Sequence, residues 1–298
     1  MKNTPQQLHI PVLVDEVVRF LAPGKGDSYL DLTAGYGGHA RAIIERTAAP
    51  DQATLVDRDE NAISELNFQC GFTNGGTRLV HSDFLSAAKN LHDEGRRFDM
   101  ILLDIGVSSP QLDRAERGFS FMNDGELDMR MDQATGRTAA EIVNRSSEKD
   151  LRDIIVQHGE ESPKTAQKIA HAIRLNRPIN TTGELAKTIE KVLPRTGKIH
   201  PATRTFQALR IVVNDELRQL EQTLPIAMEL LNSGGRLVVV SFHSLEDRIV
   251  KRFMNEHAHV GFESELDLLT KKPITASSDE LAYNPRARSA KLRAAVKK

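Results

Sequence analysis

Three aspartates each close a short apolar run: Asp31 in SYLDLTA (28–34), Asp57 in ATLVDRD (53–59) and Asp104 in FDMILLDIG (98–106). Gly35, Gly37 and Gly38 follow the first run directly. Glycine there permits a tight turn and lets backbone N–H groups approach a ligand. Asp57 stands twenty residues beyond Gly37, where a carboxylate accepts hydrogen bonds from both hydroxyls of a ribose. Two cofactors fit, because Gly35-x-Gly37-x-x-Ala40 also matches the dinucleotide fingerprint. A pyrophosphate is an anion, however, and Asp31 in the strand feeding the loop would repel it. S-adenosylmethionine instead presents a sulfonium and an ammonium, which Asp31 and Asp104 favour electrostatically. Asp83 and Phe84 follow a further run, TRLVHSD; the ring suits adenine and the carboxylate its amino group, although Phe84 reads equally as core. DIGVSSPQ supplies Asp104, Ser108, Ser109 and Gln111. Such groups suit an amine acceptor, since acceptors on its N–H groups help localise a lone pair otherwise delocalised into a ring. Asp-x-Gly is also a turn signal, so Asp104 reads as well as a loop cap.

These residues need strands that end side by side. Stretches of helical spacing, HARAIIERTA and ENAISELNFQ, separate the apolar runs, and strands alternating with helices imply parallel pairing in a doubly wound sheet. Ligands then collect at the carboxyl ends of the strands. From Arg114 to Thr205 the pattern is helical and broken by Pro and Gly; GGRLVVVSFHS then restores the strand rhythm. The expected fold is an α/β, Rossmann-like sheet of the methyltransferase type built from 1–113 and 206–298, with an inserted all-helical domain at 114–205. FESELDLL and ARSAKLRAAV read as two closing strands, the second equally as a helix, and Lys271 to Asn284 as an exposed loop.

The bulk numbers narrow the class. The 298 residues are 39% hydrophobic and 27% charged, which fits a globular protein with a sizeable core. No apolar run approaches a membrane span, and MKNTPQQLHIPVL lacks the pattern of a signal peptide, so the expected location is cytoplasmic. The single cysteine, Cys70, excludes an internal disulfide and a cysteine metal cluster, and the ten histidines show no ligand spacing that marks a metal site. The net charge of −1 hides an asymmetry: from Pro163 to Arg218 there are 11 Lys or Arg against 4 Asp or Glu. Such a block is either a solvated helical face or a nucleic-acid surface.

DIGVSSPQLDRAERGFSFMNDGELDMRMD, HPATRTFQALRIVVNDEL and GGRLVVVSFHSLEDRIVKRF together resemble the RsmH (MraW) family. Its members are S-adenosylmethionine-dependent methyltransferases that modify the N4 amine of a cytidine in the decoding region of 16S ribosomal RNA. The resemblance runs from about His9 to Lys291 and implies cofactor contacts at Gly37, Gly38, His39, Asp57, Phe84, Asp104 and Gln111. It implies a substrate-recognition role for the helical insertion, with Lys164, Lys168, Arg174, Arg177, Lys187, Lys191, Arg195, Lys198 and Arg204 neutralising phosphates of the small-subunit RNA. Phe119, Phe121 and Phe206 are candidates to stack on a displaced base, with core packing the better reading. To reach the amine, the base must be unpaired or flipped. Asp104, Ser108 and Ser109 on one side, and Ser241, Phe242, His243 and Ser244 on the other, are expected to flank it. His243 is a candidate proton relay or a histidine hydrogen-bonded at the sheet edge. Arg130 is expected to brace the domain junction. The competing functions are an amine methyltransferase of DNA or a small molecule, and a non-catalytic RNA-binding assembly factor.

Overall fold

The computed structural model describes residues 11–68, 72–194, 197, 200–258 and 264–298. Cys70, Arg195 and Lys198 lie outside them. Along the chain come α1 (Val14–Leu21), β1 (Tyr29–Asp31), α2 (Gly38–Thr47), β2 (Ala53–Asp57), α3 (Glu60–Phe68), β3 (Arg78–His81), α4 (Phe84–Asp93) and β4 (Phe98–Asp104). A helical stretch follows: α5 (Ser109–Asp113), α6 (Ala139–Arg145), α7 (Glu148–Gly159), α8 (Pro163–Leu175), α9 (Thr182–Glu190), α10 (Thr203–Asn214) and α11 (Glu216–Leu230). The chain closes with β5 (Leu231–Ser241), α12 (Ser244–His257), β6 (Leu266–Leu268), α13 (Ser278–Tyr283) and β7 (Lys291–Lys297).

The strands form one sheet in the order β3-β2-β1-β4-β5-β7-β6. The first five are parallel, and β7 runs antiparallel between β5 and β6. ARSAKLRAAV is therefore a strand. Its buried Leu292, Ala294 and Ala295 lie in the middle of the ladder. The 271–284 segment is more ordered than an exposed loop: it contains α13, and its buried Glu280 accepts the backbone N–H of Leu13 at 2.8 Å. Near-continuous apolar strands such as MILL and LVVV are buried on both faces, as a parallel sheet requires.

Two compact units result, 1–106 with 217–298, and 107–216. The second begins earlier than 114 because it includes α5, and ends later than 205 because it includes the whole of α10. Phe206 and Leu209 of that helix join a core with Ile155 of α7, Ile169 and Ile173 of α8, and Leu185 and Ile189 of α9, each buried side chain worth roughly 1.5–3 kcal/mol. The helices start where sequence logic says they should. Thr138 with Glu141 and Thr181 with Glu184 form reciprocal capping boxes. Ser162 caps α8 ahead of Pro163. The segment between α5 and α6 folds on itself so tightly that a Cβ on Gly125 would meet the carbonyl oxygen of Ala115 at less than van der Waals distance. Buried Asn214 pins it, accepting from Met131 N–H at 2.9 Å and donating to the Met129 carbonyl at 2.8 Å. Both bonds hold the backbone of the MRMD segment (129–132) to α10. Arg130 there forks onto Asp128 at 2.8 and 2.9 Å, within the unit.

Candidate active site

Register explains the placement of the three aspartates. Asp31 lies opposite Leu55 of β2 and Leu102 of β4. Asp57 and Asp104 each extend two residues further, hence about 7 Å further and with the same parity. Tyr29, Leu55 and Leu102 face one apolar core, so the three carboxylates continue its rows beyond the carboxyl edge of three adjacent strands. β1 and β4, which carry two of them, are where the strand order reverses, the crevice in which an open α/β sheet binds ligands.

Asp31 is 1% exposed. Its Oδ2 accepts from the Tyr29 hydroxyl at 2.7 Å and its Oδ1 from Thr33 N–H at 3.1 Å. It therefore offers a ligand charge rather than contact. Burial pushes its pKa up to about 6, against the hydrogen bond from Tyr29 and the charge of His39. Asp57 accepts from Gly35 N–H at 2.7 Å on Oδ2 and from Asp59 N–H at 2.8 Å on Oδ1. A carboxylate has about four acceptor positions, so two remain for the hydroxyls of a ribose. Its pKa is also raised to about 6, burial outweighing those two bonds. Asp104 donates its backbone N–H to Thr33 Oγ1 at 2.6 Å, while His39 Nε2 stands 3.4 Å from its Oδ2. Its Oδ1 is buried without a partner among the described residues. An acidic edge with an orphaned carboxylate oxygen and a ribose-ready Asp57 fits S-adenosylmethionine and disfavours a pyrophosphate.

The three glycines differ in what surrounds the missing side chain. A Cβ on Gly37 would stand 2.8 Å from Leu66 and Phe72, and one on Gly38 2.8 Å from Pro11. Both are demanded by packing of the helix start. At Gly35 the corresponding space is open and φ is +52°. Gly37, at φ +79°, combines a left-handed backbone with a blocked Cβ. Gly37→Ala should destabilise the fold by about 2–4 kcal/mol, read as a lowered denaturation midpoint with unchanged slope.

Other expected site residues have structural partners. Asp83 caps α4, accepting from Ser86 N–H at 2.9 Å, and the half-buried Phe84 packs against the core that includes Leu103. Ser108 and Gln111 form a capping box on α5, Ser108 N–H donating to Gln111 Oε1 at 3.0 Å; Ser109 and Gln111 are buried. His243 caps α12 through Nδ1, and its Nε2 lies 3.0 Å from Oε1 of the fully buried Glu246. The hydrogen bond at this histidine is the one Nδ1 accepts from Glu246 N–H at 3.4 Å. The Ser241 hydroxyl donates to the Lys291 carbonyl at 3.3 Å. Phe119 and Phe206 are core, and Phe121 stacks on His200 at 4.4 Å between centroids and edge-on to Phe206 at 4.8 Å. Sequence reasoning missed Tyr29, Thr33 and Glu280. Tyr29 alone left a signal, two positions before Asp31 on the same strand face.

In the helical unit Lys164 and Lys168 are exposed one turn apart on α8 and make no ion pair among the described residues. Lys187 and Lys191 are exposed too. Arg174 is engaged by Glu148 at 2.6 Å and Arg204 by Glu161 at 3.5 Å. Arg177 is half-buried and donates to the Ser146 carbonyl at 2.6 Å, which makes it part of the unit's frame. Among the described residues no helix is long and apolar enough to cross a membrane.

The strand order, with an antiparallel strand inserted beside β5, and the acidic edge after β1, β2 and β4 define a Rossmann-like methyltransferase sheet. Comparison with known proteins narrows this class. The chain belongs to the MraW methylase family, whose model matches residues 6–298. Similar proteins described as ribosomal RNA small subunit methyltransferase H come from several bacteria. That of Nitratidesulfovibrio vulgaris is 48% identical over 97% of this chain and 95% of its own. That of Cyanothece sp. is 49% identical over 98% and 95%, and that of Acidobacterium capsulatum 45% identical over 98% and 99%.

Proposed function

We propose that this protein methylates ribosomal RNA of the small subunit, using S-adenosylmethionine, and that its target is the N4 amine of a cytidine in the decoding region of 16S RNA. Family membership and the names of its full-length relatives support an rRNA methyltransferase. The observation that carries the chemistry is the row of Asp31, Asp57 and Asp104 beyond three adjacent parallel strands. The donor supplies an electrophilic methyl, its bond to sulfur breaking with the electron pair left on sulfur. Asp57 holds the ribose, and the buried charge of Asp31 favours a cationic donor over an anionic one. Asp104 accepts a hydrogen bond from the acceptor amine and takes the proton released as the new nitrogen–carbon bond forms, before passing it to solvent. Placing both reactants in line is worth more than this proton transfer, which typically contributes ~10²- to 10⁴-fold.

Lys164 and Lys168, exposed one turn apart on α8, are placed to meet phosphate. Replacing both by glutamate should weaken RNA binding and reduce the slope of log affinity against log salt by about 1.5, with donor binding unchanged. The function itself is tested by supplying methyl-labelled donor with separated small subunits, free RNA and DNA, then mapping the labelled nucleotide. Label confined to DNA, or to another position of the RNA, overturns this assignment.

A further inference from the structure

From Lys271 to Lys298 the chain carries 8 Lys or Arg against 2 Asp or Glu, although its net charge is −1. Some of these cations are committed within the fold. Arg293 and Lys291 reach Asp247 at 2.6 and 3.5 Å, Lys298 lies 3.3 Å from Asp267, and Lys297 donates to the Leu231 carbonyl at 2.8 Å. By contrast, Lys271, Lys272 and Arg288 are exposed and make no ion pair among the described residues. Of the two acids in the block, Glu280 is buried and engaged by Leu13 N–H.

Register puts these three cations at the edge of the sheet that carries Asp104. Asp104 of β4 lies opposite Val240 of β5, Val240 opposite Leu292 of β7, and Leu292 opposite Ile274. Lys271 and Lys272 come just before Ile274, and Arg288 just before the start of β7, so they flank this row. At about 4.8 Å per strand spacing, β7 lies roughly 10 Å from β4. Nor is Arg288 on a loose tail. It belongs to the helical turn Pro285–Ser289, whose Ala287, with the following Ala290, is fully buried in the core that holds Leu13, Val240 and Leu292. Ala287 N–H donates to the Asn284 carbonyl and Ala290 N–H to the Ala287 carbonyl, each at 3.0 Å. Ile274 exchanges both backbone bonds with Leu292, at 2.9 and 2.8 Å. The backbone bearing the three charges is thus already ordered, which lowers the entropy cost of holding a ligand. Like charges gathered without acids also repel one another, and an anion relieves that repulsion.

We propose that Lys271, Lys272 and Arg288 form a phosphate-binding surface for the RNA substrate on the catalytic unit itself, holding the single strand that carries the target base. The assignment rests on the rRNA methyltransferase reading above and adds to it a contact surface outside the helical unit. Phosphate contacts fix position and carry no base identity, so this surface supplies affinity and register while selection of the base lies elsewhere.

The test uses the full-length protein with Lys271→Gln, Lys272→Gln and Arg288→Gln combined. A control with Lys25→Gln, Lys89→Gln and Arg97→Gln removes the same charge from exposed positions elsewhere in the same unit. Affinity for a fluorescent single-stranded RNA spanning the target cytidine is read by anisotropy across a salt series. The first variant should bind about fiftyfold more weakly at 0.15 M salt, and its slope of log affinity against log salt should shrink by about 2, the counterion-release values for three phosphates on a single strand. The control should stay within about threefold of wild type, because distant exposed charges are screened. Calorimetry with S-adenosylhomocysteine should show unchanged donor binding. Single-turnover methylation should keep its wild-type rate at saturating RNA, with the half-saturating RNA concentration raised. Arg288→Gln alone should lower the slope by about 0.7, which decides the matter if the combined variant fails to fold. Wild-type affinity and slope, an equal loss in the control, or a slower saturated rate with RNA affinity intact each overturn the proposal. So does unchanged RNA affinity with lost retention on phosphatidylglycerol vesicles, which would hand the surface to a membrane. A wild-type protein that binds this RNA yet methylates none sinks the functional reading alone, since the binding comparison needs no turnover.

Discussion

Affinity for S-adenosylmethionine should fall about a hundredfold between pH 7 and pH 5, tenfold for each of two carboxylates that titrate near 6. Asp31 and Asp57 both have pKa values raised to about 6 by burial. The sign follows from which form the ligand prefers. A sulfonium and an ammonium are attracted to ionised Asp31, and ribose hydroxyls donate to ionised Asp57, so protons and donor compete for the same free protein. Above pH 7 both groups are ionised and affinity levels off; below 6 each protonation must be reversed before binding. Asp57→Ala should lower affinity at pH 7 by about 10²- to 10³-fold, because two hydrogen bonds to a charged acceptor are lost at about 1.5–3 kcal/mol each before compensation by water. It also releases the Gly35 N–H that Asp57 holds at 2.7 Å, loosening the turn where the ligand approaches. The pH dependence of that variant should shrink to the single step of Asp31. Calorimetric titration across pH checks all of this, and a flat profile in the wild type would contradict the acidic-edge account.

Asp104→Asn should slow single-turnover methylation by about a thousandfold while changing donor affinity by less than about tenfold, within the usual ~10²- to 10⁴-fold range for general-base groups. The substitution keeps shape and one acceptor oxygen, so packing against Thr33 and His39 survives. What disappears is the negative charge and the capacity to receive a proton from the amine. His39, whose Nε2 stands 3.4 Å from the Asp104 carboxylate, would then face a neutral amide. Rapid-quench measurement with labelled donor isolates this step from RNA binding and product release. A rate near that of the wild type would leave Asp104 as a loop cap, the reading that Asp-x-Gly permits from sequence.

Much of the sheet was legible because its strands are short, apolar on both faces and punctuated by turn residues, and because each functional strand ends its apolar run in Asp. The helical insertion was legible from 3.6-residue spacing broken by Pro and Gly. Its limits were not, because the apolar face of α10 reads the same whichever core it joins. The side-chain commitments of Asp83, Ser108, Gln111 and His243 were also hidden. Asp and Ser serve equally well as caps and as ligand contacts, and a capping partner three residues away is no less common than a functional one. The glycines show the same ambiguity. Gly35 and Gly37 look alike in the chain, yet one opens toward space and the other is blocked by Leu66 and Phe72.

Residue order alone therefore determined the parallel architecture, the family and the three acidic strand ends, since these depend on local periodicity and on neighbours along the chain. Tertiary structure decided which carboxylates are spent and which are free. It drew Tyr29 onto Asp31 and Gly35 onto Asp57, and set His39 beside Asp104 with one oxygen unclaimed. Burial and hydrogen-bond partners come from segments remote in the chain, as with Thr33 and Asp104, 71 residues apart, and only their packing sets the charge each aspartate can hold.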